Sequence, residues 1–164
     1  MTYLLDANVF IQAKNLHYGL DFCPAFWEWL KLKNSEETVF SIEKVEAELE
    51  AQDDELSEWA SHQGRSFFLE PDPEMLPSLH AVSEWALAQR YEPAAVSTFL
   101  QVADYYLIAH ALAHGYTVVT HEKAGTSAKK IKIPDVCIGL RMRCMNPFEM
   151  LRRERARFVL EERR

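Results

Sequence analysis

Four acidic residues stand where an α/β protein can bring their carboxylates together. Asp6 follows a short apolar run, and Glu122 follows a run of β-branched residues. Glu48 lies about two turns into a predicted helix, and Asp104 lies near the start of another. Parallel α/β sheets bind ligands outside the carboxyl ends of their strands. We therefore expect all four side chains to face one crevice.

Clustered carboxylates raise one another's pKa unless a cation compensates them. Asp104 is embedded in the apolar segment 102–107, where a lone carboxylate would be costly. A hard divalent cation resolves this conflict, and oxygen ligands favour Mg²⁺ or Mn²⁺. Such sites usually act on phosphate groups. Taken singly, each acid also fits an ordinary helix cap or surface carboxylate, and Glu48 is one of ten acids between Glu36 and Glu58.

The elements that must position these residues alternate between strand and helix. This alternation predicts an α/β fold with a parallel sheet of about four to five strands, sandwiched by helices. Ser41 is expected to cap the helix that carries Glu48. The segments predicted as strands are residues 2–5, 38–40, 66–69, 116–120 and 140–145.

Composition excludes several classes of protein. The chain has 164 residues, a net charge of −7 and 48% apolar residues, which excludes disordered and collagen-like chains. No apolar stretch reaches the roughly 18 residues of a membrane helix. The three cysteines lack metal-knuckle spacing and predict reduced thiols, so we expect a cytoplasmic protein. We expect a single domain over residues 1–164, ending in a basic helix over about residues 147–162.

Four segments, in order, resemble the motifs of PIN-domain nucleases, the group that includes VapC-like toxins. The first is residues 4–11, LLDANVFI, and the second is residues 45–49, VEAEL. The third is residues 103–111, ADYYLIAHA, and the fourth is residues 116–122, YTVVTHE. Together they span a motif-bearing core of about residues 2–145.

This resemblance implies a Mg²⁺- or Mn²⁺-dependent endoribonuclease that hydrolyses RNA phosphodiester bonds with a metal-activated water. It further implies the toxin of a toxin–antitoxin pair, an antitoxin partner and a homodimer. It assigns catalysis and metal ligation to Asp6, Glu48, Asp104 and Glu122, and it places Asn8 and Thr120 in supporting positions.

The sequence departs from the family pattern at two points. The fourth acid is more often Asp, whereas here it is Glu122, so Asp135 is an alternative carboxylate for the site. Residues 12–37 and 53–95 are longer and more aromatic than in the smallest members, which indicates a variant subgroup.

Basic residues are concentrated after Glu122. Residues 123–164 hold 12 of the 18 Lys and Arg side chains. Four lysines of the following loop are expected to hold RNA phosphates beside the metal; the alternative is a solvated loop. These residues are Lys123, Lys129, Lys130 and Lys132.

Other functions remain for comparison. A haloacid-dehalogenase-like phosphatase needs a second Asp two residues after the first, and Asn8 stands there. A non-catalytic RNA- or protein-binding module on a PIN-like scaffold stays open. His110 and His114 have the spacing of a zinc-binding helix, but Ala111 stands where metalloproteases have Glu, so a zinc site is the less favoured interpretation.

Overall fold

The computed structural model describes residues 1–162. Its five strands are β1 (Tyr3–Leu5), β2 (Val39–Ile42), β3 (Phe68–Leu69), β4 (Thr117–Val119) and β5 (Cys144–Met145). They form one sheet in the order β3-β2-β1-β4-β5, and every pairing is parallel. The α/β fold predicted from the sequence is confirmed.

The strand order places a topological switch beside β1. From this central strand the chain first builds the β2–β3 side of the sheet and later the β4–β5 side. Leu5 pairs with Val119, so the next residues, Asp6 and Thr120, emerge side by side. Crevices at such switch points are the usual ligand sites of open α/β sheets.

Nine α-helices flank the sheet within residues 1–162. A five-residue π-helical turn, Ala13–His17, extends the first of them. The helices are α1 (Ala7–Gln12), α2 (Pro24–Ser35), α3 (Glu43–Glu50), α4 (Glu55–Gln63), α5 (Met75–Ala88), α6 (Pro93–Phe99), α7 (Ala103–His114), α8 (Ile133–Gly139) and α9 (Pro147–Arg153). None of the helices in the described part of the chain has the length and apolar character to span a membrane.

An aromatic cluster packs α1 against α2 and α4. Trp27 of α2 and Trp59 of α4 lie with ring centroids 4.9 Å apart, and Phe10 of α1 lies 5.8 Å from Trp59. All residues of β1 are fully buried. Because α1 follows β1 directly, this packing fixes the direction in which Asp6 leaves the sheet.

Two local predictions are wrong. The last helix ends at Arg153 rather than near residue 162, because Arg155 turns the chain with a φ of 55° and Phe158 packs against Tyr18. Ser41 does not cap a helix; it lies in β2, where its hydroxyl donates to the Leu5 carbonyl over 2.6 Å.

Candidate functional site

Asp6 is held rigidly at the end of β1. Its Oδ1 accepts the Ala7 backbone N–H over 2.8 Å and so caps α1. Its Oδ2 accepts the Thr120 hydroxyl, also over 2.8 Å. The residue is only 5% exposed. One carboxylate is therefore fixed at the switch point with both of its oxygens oriented.

Thr120, which follows β4, is hydrogen-bonded to the residues that follow β1. While it donates to Asp6, its Oγ1 accepts from the Asn8 side-chain amide over 3.2 Å and from the Glu122 backbone N–H over 3.1 Å. The Asn8 side-chain oxygen accepts the His121 backbone N–H over 3.1 Å. Thr120 thus uses its single donor and both acceptor positions, with the donor on Asp6, and Asn8 holds Thr120 and the His121 backbone together.

Burial and neighbouring carboxylates raise the pKa of two of the acidic residues. Burial raises the pKa of Asp6 to about 7, with further contributions from Asp104 and Glu122. Burial also raises the pKa of Asp104 to about 6, aided by Glu122 and Glu48, while Lys130 opposes the shift. We call these four residues, Asp6, Glu48, Asp104 and Glu122, the acidic crevice.

Glu48 and Asp104 line one wall of the crevice. They border a cavity of about 390 Å³ together with Glu92, Lys129 and Lys130. Glu48 is exposed on α3, yet partial desolvation of its carboxyl raises its pKa. No sequence pattern predicts Glu92 at this cavity; its backbone N–H donates to the Ala128 carbonyl of the basic loop over 2.9 Å.

Glu122 and Asp135 have different surroundings. Glu122 Oε2 accepts the Ile133 backbone N–H over 2.9 Å at the start of α8, and its charge acts on both Asp6 and Asp104. Asp135 instead accepts the Gly125 N–H on both oxygens, over 3.2 and 3.3 Å. The geometry therefore groups Glu122 with the acidic crevice and makes Asp135 an anchor of the following loop.

The predicted basic loop, residues 123–132, borders the crevice at several points. Lys129 and Lys130 line the same cavity as Asp104. Lys123 lies with Glu122 on a neighbouring cavity of about 560 Å³. The Lys132 side chain instead lies against Gly125 within the loop. Two of the four lysines thus line the same cavity as Glu48 and Asp104.

The donor set of the crevice suits a hard divalent cation. Within residues 1–162, no three of its carboxylates each place an oxygen within 4.8 Å of the other two. Mg²⁺ keeps several waters and commonly takes only one or two protein carboxylates. At this spacing at most two of the acids could hold one cation directly, and the others could act on it only through water.

A second group of ligand-type side chains lies at the far end of α7. Atoms of Asp72, His110 and His114 all lie within 4.8 Å of one another. His114 Nε2 lies 2.7 Å from Asp72 Oδ2. The sequence showed the two histidines on one helix face, but Asp72 precedes them by 38 residues or more and has no periodicity that relates it to them.

Comparisons with known proteins agree with this architecture. The model of a family described as a domain of unknown function, DUF4411, matches residues 3–158. A chain in the crystal structure of VapBC2 from Rickettsia felis, bound to a DNA fragment from their promoter, is similar with a TM-score of 0.51 and 17% identity. The match covers 89% of this chain and 98% of that one, and it confirms the predicted PIN-like fold. No curated protein matches the sequence.

Proposed function

We propose that this chain, which belongs to the DUF4411 family, is a divalent-metal-dependent endoribonuclease acting at the acidic crevice. The gathering of the four acids at the carboxyl edge of the sheet carries the proposal: Asp6 is buried at the end of β1, and burial first and neighbouring carboxylates second raise the pKa of both Asp6 and Asp104. Strongly perturbed acids in a cleft are typical of functional sites. The PIN-like fold and the four ordered motifs support RNA as the substrate.

Each part of the crevice has a distinct task in this proposal. Asp6 and Asp104 hold Mg²⁺ or Mn²⁺, and Thr120 keeps the Asp6 carboxylate in its ligating orientation. The bound cation supplies Lewis-acid chemistry that activates water and stabilises charge on phosphoryl oxygens. Glu48 and Glu122 occupy outer positions, where each can orient a water molecule or accept its proton.

The basic loop binds the substrate backbone in this proposal. Lys129 and Lys130 border the cavity that Asp104 lines, so a phosphate can contact ammonium groups and the cation site together. Such contacts recognise nucleic acid by charge and not by base sequence.

The partner of the proposed enzyme is a protein that covers the crevice. The similar structure contains VapBC2, and an antitoxin that places a basic side chain against these carboxylates would block the cation site. We further propose a homodimer, which analytical ultracentrifugation tests directly.

The decisive experiment is an RNA-cleavage time course on a mixed panel of structured RNAs, with Mg²⁺, Mn²⁺ or EDTA. Asp6→Asn and Asp104→Asn retain shape and remove the charge that holds the cation. We expect cleavage in metal, none in EDTA, and a loss of about 100-fold or more in both variants. Glu46→Gln is the matched control, because Glu46 lies on the helix of Glu48 but does not line the cavity.

Absence of cleavage by folded wild-type protein in both metals would contradict the proposal and favour the non-catalytic binding module. Calorimetric titration with Mn²⁺ then shows whether the crevice holds a cation at all. Cleavage that persists in Asp6→Asn and Asp104→Asn would instead indicate a contaminating nuclease.

A further inference from the structure

The far end of α7 gathers two imidazoles and a carboxylate from distant parts of the chain. His110 and His114 are one helical turn apart, with ring centroids 4.9 Å apart. Asp72 comes from the loop before α5, and its ligand atom lies within 4.8 Å of both rings' ligand atoms. From this geometry we propose that Asp72, His110 and His114 bind a zinc-type transition-metal cation, separate from the acidic crevice.

His110 is the buried member of the group. It is only 3% exposed, and its ligand atom lies within 4.8 Å of those of Asp72 and His114. Buried polar groups are usually paired. A cation shared with His114 and Asp72 would give the His110 ring such a partner.

The surroundings of His114 prepare it for ligation. Its Nε2 faces Asp72, while its Nδ1 lies 3.5 Å from the Glu74 carboxylate. Because an ionised Asp72 can only accept, the 2.7 Å contact places a proton on Nε2. A metal would displace this proton, and the Glu74 carboxylate is near enough to orient a proton on Nδ1 instead. The Glu74 backbone N–H also donates to Asp72 Oδ1 over 2.9 Å and so orients that carboxylate.

The donor set selects a different metal from that of the acidic crevice. Two imidazole nitrogens and one carboxylate oxygen suit Zn²⁺ and its neighbours, whereas all-oxygen sites suit Mg²⁺ and Mn²⁺. Ligands of a tetrahedral Zn²⁺ lie about 3.3 Å apart at usual bond lengths, so the 2.7 Å Asp72–His114 contact must open by roughly 0.6 Å. A water or solute can take the fourth position.

The proposed site is distinct in place as well as in chemistry. His110 and His114 follow Asp104 on α7 by six and ten residues, which is about 9 and 15 Å along the helix axis. A cation there would join the loop before α5 to the end of α7. We therefore assign it a stabilising role, so it does not depend on the proposed nuclease activity.

Cobalt titration tests the site directly, because Co²⁺ replaces Zn²⁺ and its visible absorption reports tetrahedral nitrogen-containing coordination. Tag-free, metal-depleted protein should bind one equivalent with that absorption, and Zn²⁺ should displace it. Asp72→Asn and His114→Gln should abolish the absorption. Zn²⁺ at about 100 times its Kd should raise Tm by about 5–10 °C in wild type only.

Two controls separate this site from other sources of binding. The exposed His80 of α5 pairs with Glu84 over 3.0 Å, and it joins no group of three ligand-type side chains within residues 1–162, so His80→Ala should leave the cobalt signal unchanged. Asp104→Asn should also leave it unchanged. The proposal is wrong if wild type binds no cobalt, if Asp72→Asn and His114→Gln retain the signal, or if Asp104→Asn removes it.

Discussion

Each end of α7 carries an ionisable residue that the helix dipole favours there, but the pKa of the carboxyl group is raised at one end and lowered at the other. Asp104 lies in the first turn and His114 in the last, the favourable ends for an anion and a cation respectively. At the first end, neighbouring carboxylates and burial raise the pKa of Asp104 to about 6. At the other end, partial burial would raise the pKa of Asp72, but its hydrogen bond with His114 lowers it overall.

This difference shows which of the two clusters the protein's own residues stabilise without a bound cation. The hydrogen bond between His114 and Asp72 joins two segments of the chain and lowers the pKa of Asp72, so it stabilises that carboxylate. The acidic crevice concentrates negative charge that the chain compensates only in part, through Lys130. Sites that destabilise a fold are commonly retained for activity. This contrast supports the proposals that the crevice is functional and that the far end of α7 stabilises the fold.

The largest expected effect is on the stability of the metal-free protein. Asp6 has a folded pKa of about 7 against an ordinary 3.8, so the native state favours its protonated form. Stability should then fall as pH rises from about 4 to about 7. Asp6→Asn mimics the neutral carboxyl and retains the helix cap. In EDTA at pH 8 we expect a gain of about 1–3 kcal/mol, and less than half of that at pH 5.

Guanidinium unfolding at both pH values measures this effect, with Asp72→Asn as the opposite case. Because the Asp72 side chain is 34% exposed, its loss should lower stability by less than about 1 kcal/mol. If Asp6→Asn is less stable than wild type at pH 8, burial of Asp6 stabilises the fold, and the contrast between the two ends of α7 fails.

A smaller effect is expected at Glu122, which belongs to both a helix start and the crevice. Glu122→Gln keeps the acceptor for the Ile133 N–H but removes the charge that acts on Asp6 and Asp104. In metal-free protein at pH 8 we expect a slight gain in stability, because a like charge is removed, and about a 10-fold loss of cleavage, typical of an outer acid. Initial rates and thermal unfolding measure the two quantities separately.

The companion variant Glu122→Ala removes the acceptor as well, and it should lower stability by about 0.5–1.5 kcal/mol. Full cleavage activity in Glu122→Gln would show that Glu122 only caps α8. The acidic crevice would then consist of Asp6, Glu48 and Asp104, and only these three residues would differ in function from the far end of α7.

The sequence predicted the framework of the crevice better than its details. Asp6 and Glu122 follow strands that their own apolar and β-branched residues make recognisable. Parallel topology alone then brings the two acids to the same edge of the sheet. Glu92 and Asp72 were not predicted because contacts between segments that are distant in sequence bring them to their sites. No local sequence pattern encodes such contacts. The last helix was predicted too long because charge and helix propensity in residues 154–162 do not reveal that Phe158 packs on Tyr18.

The smallest expected effect concerns the Thr120 hydroxyl and its influence on the pKa of Asp6. The Thr120 hydroxyl donates to Asp6 Oδ2 and lowers the Asp6 pKa against the larger upward effect of burial. Thr120→Val removes that donor with little change in volume, so the Asp6 pKa should rise further. Ligation requires the ionised carboxylate. Mn²⁺ affinity measured by calorimetry should therefore fall about 3- to 10-fold at pH 6 and much less at pH 8. Thr120→Ser retains the donor and should behave as wild type, whereas equal losses at both pH values would show that Thr120 positions Asp6 without adjusting its charge.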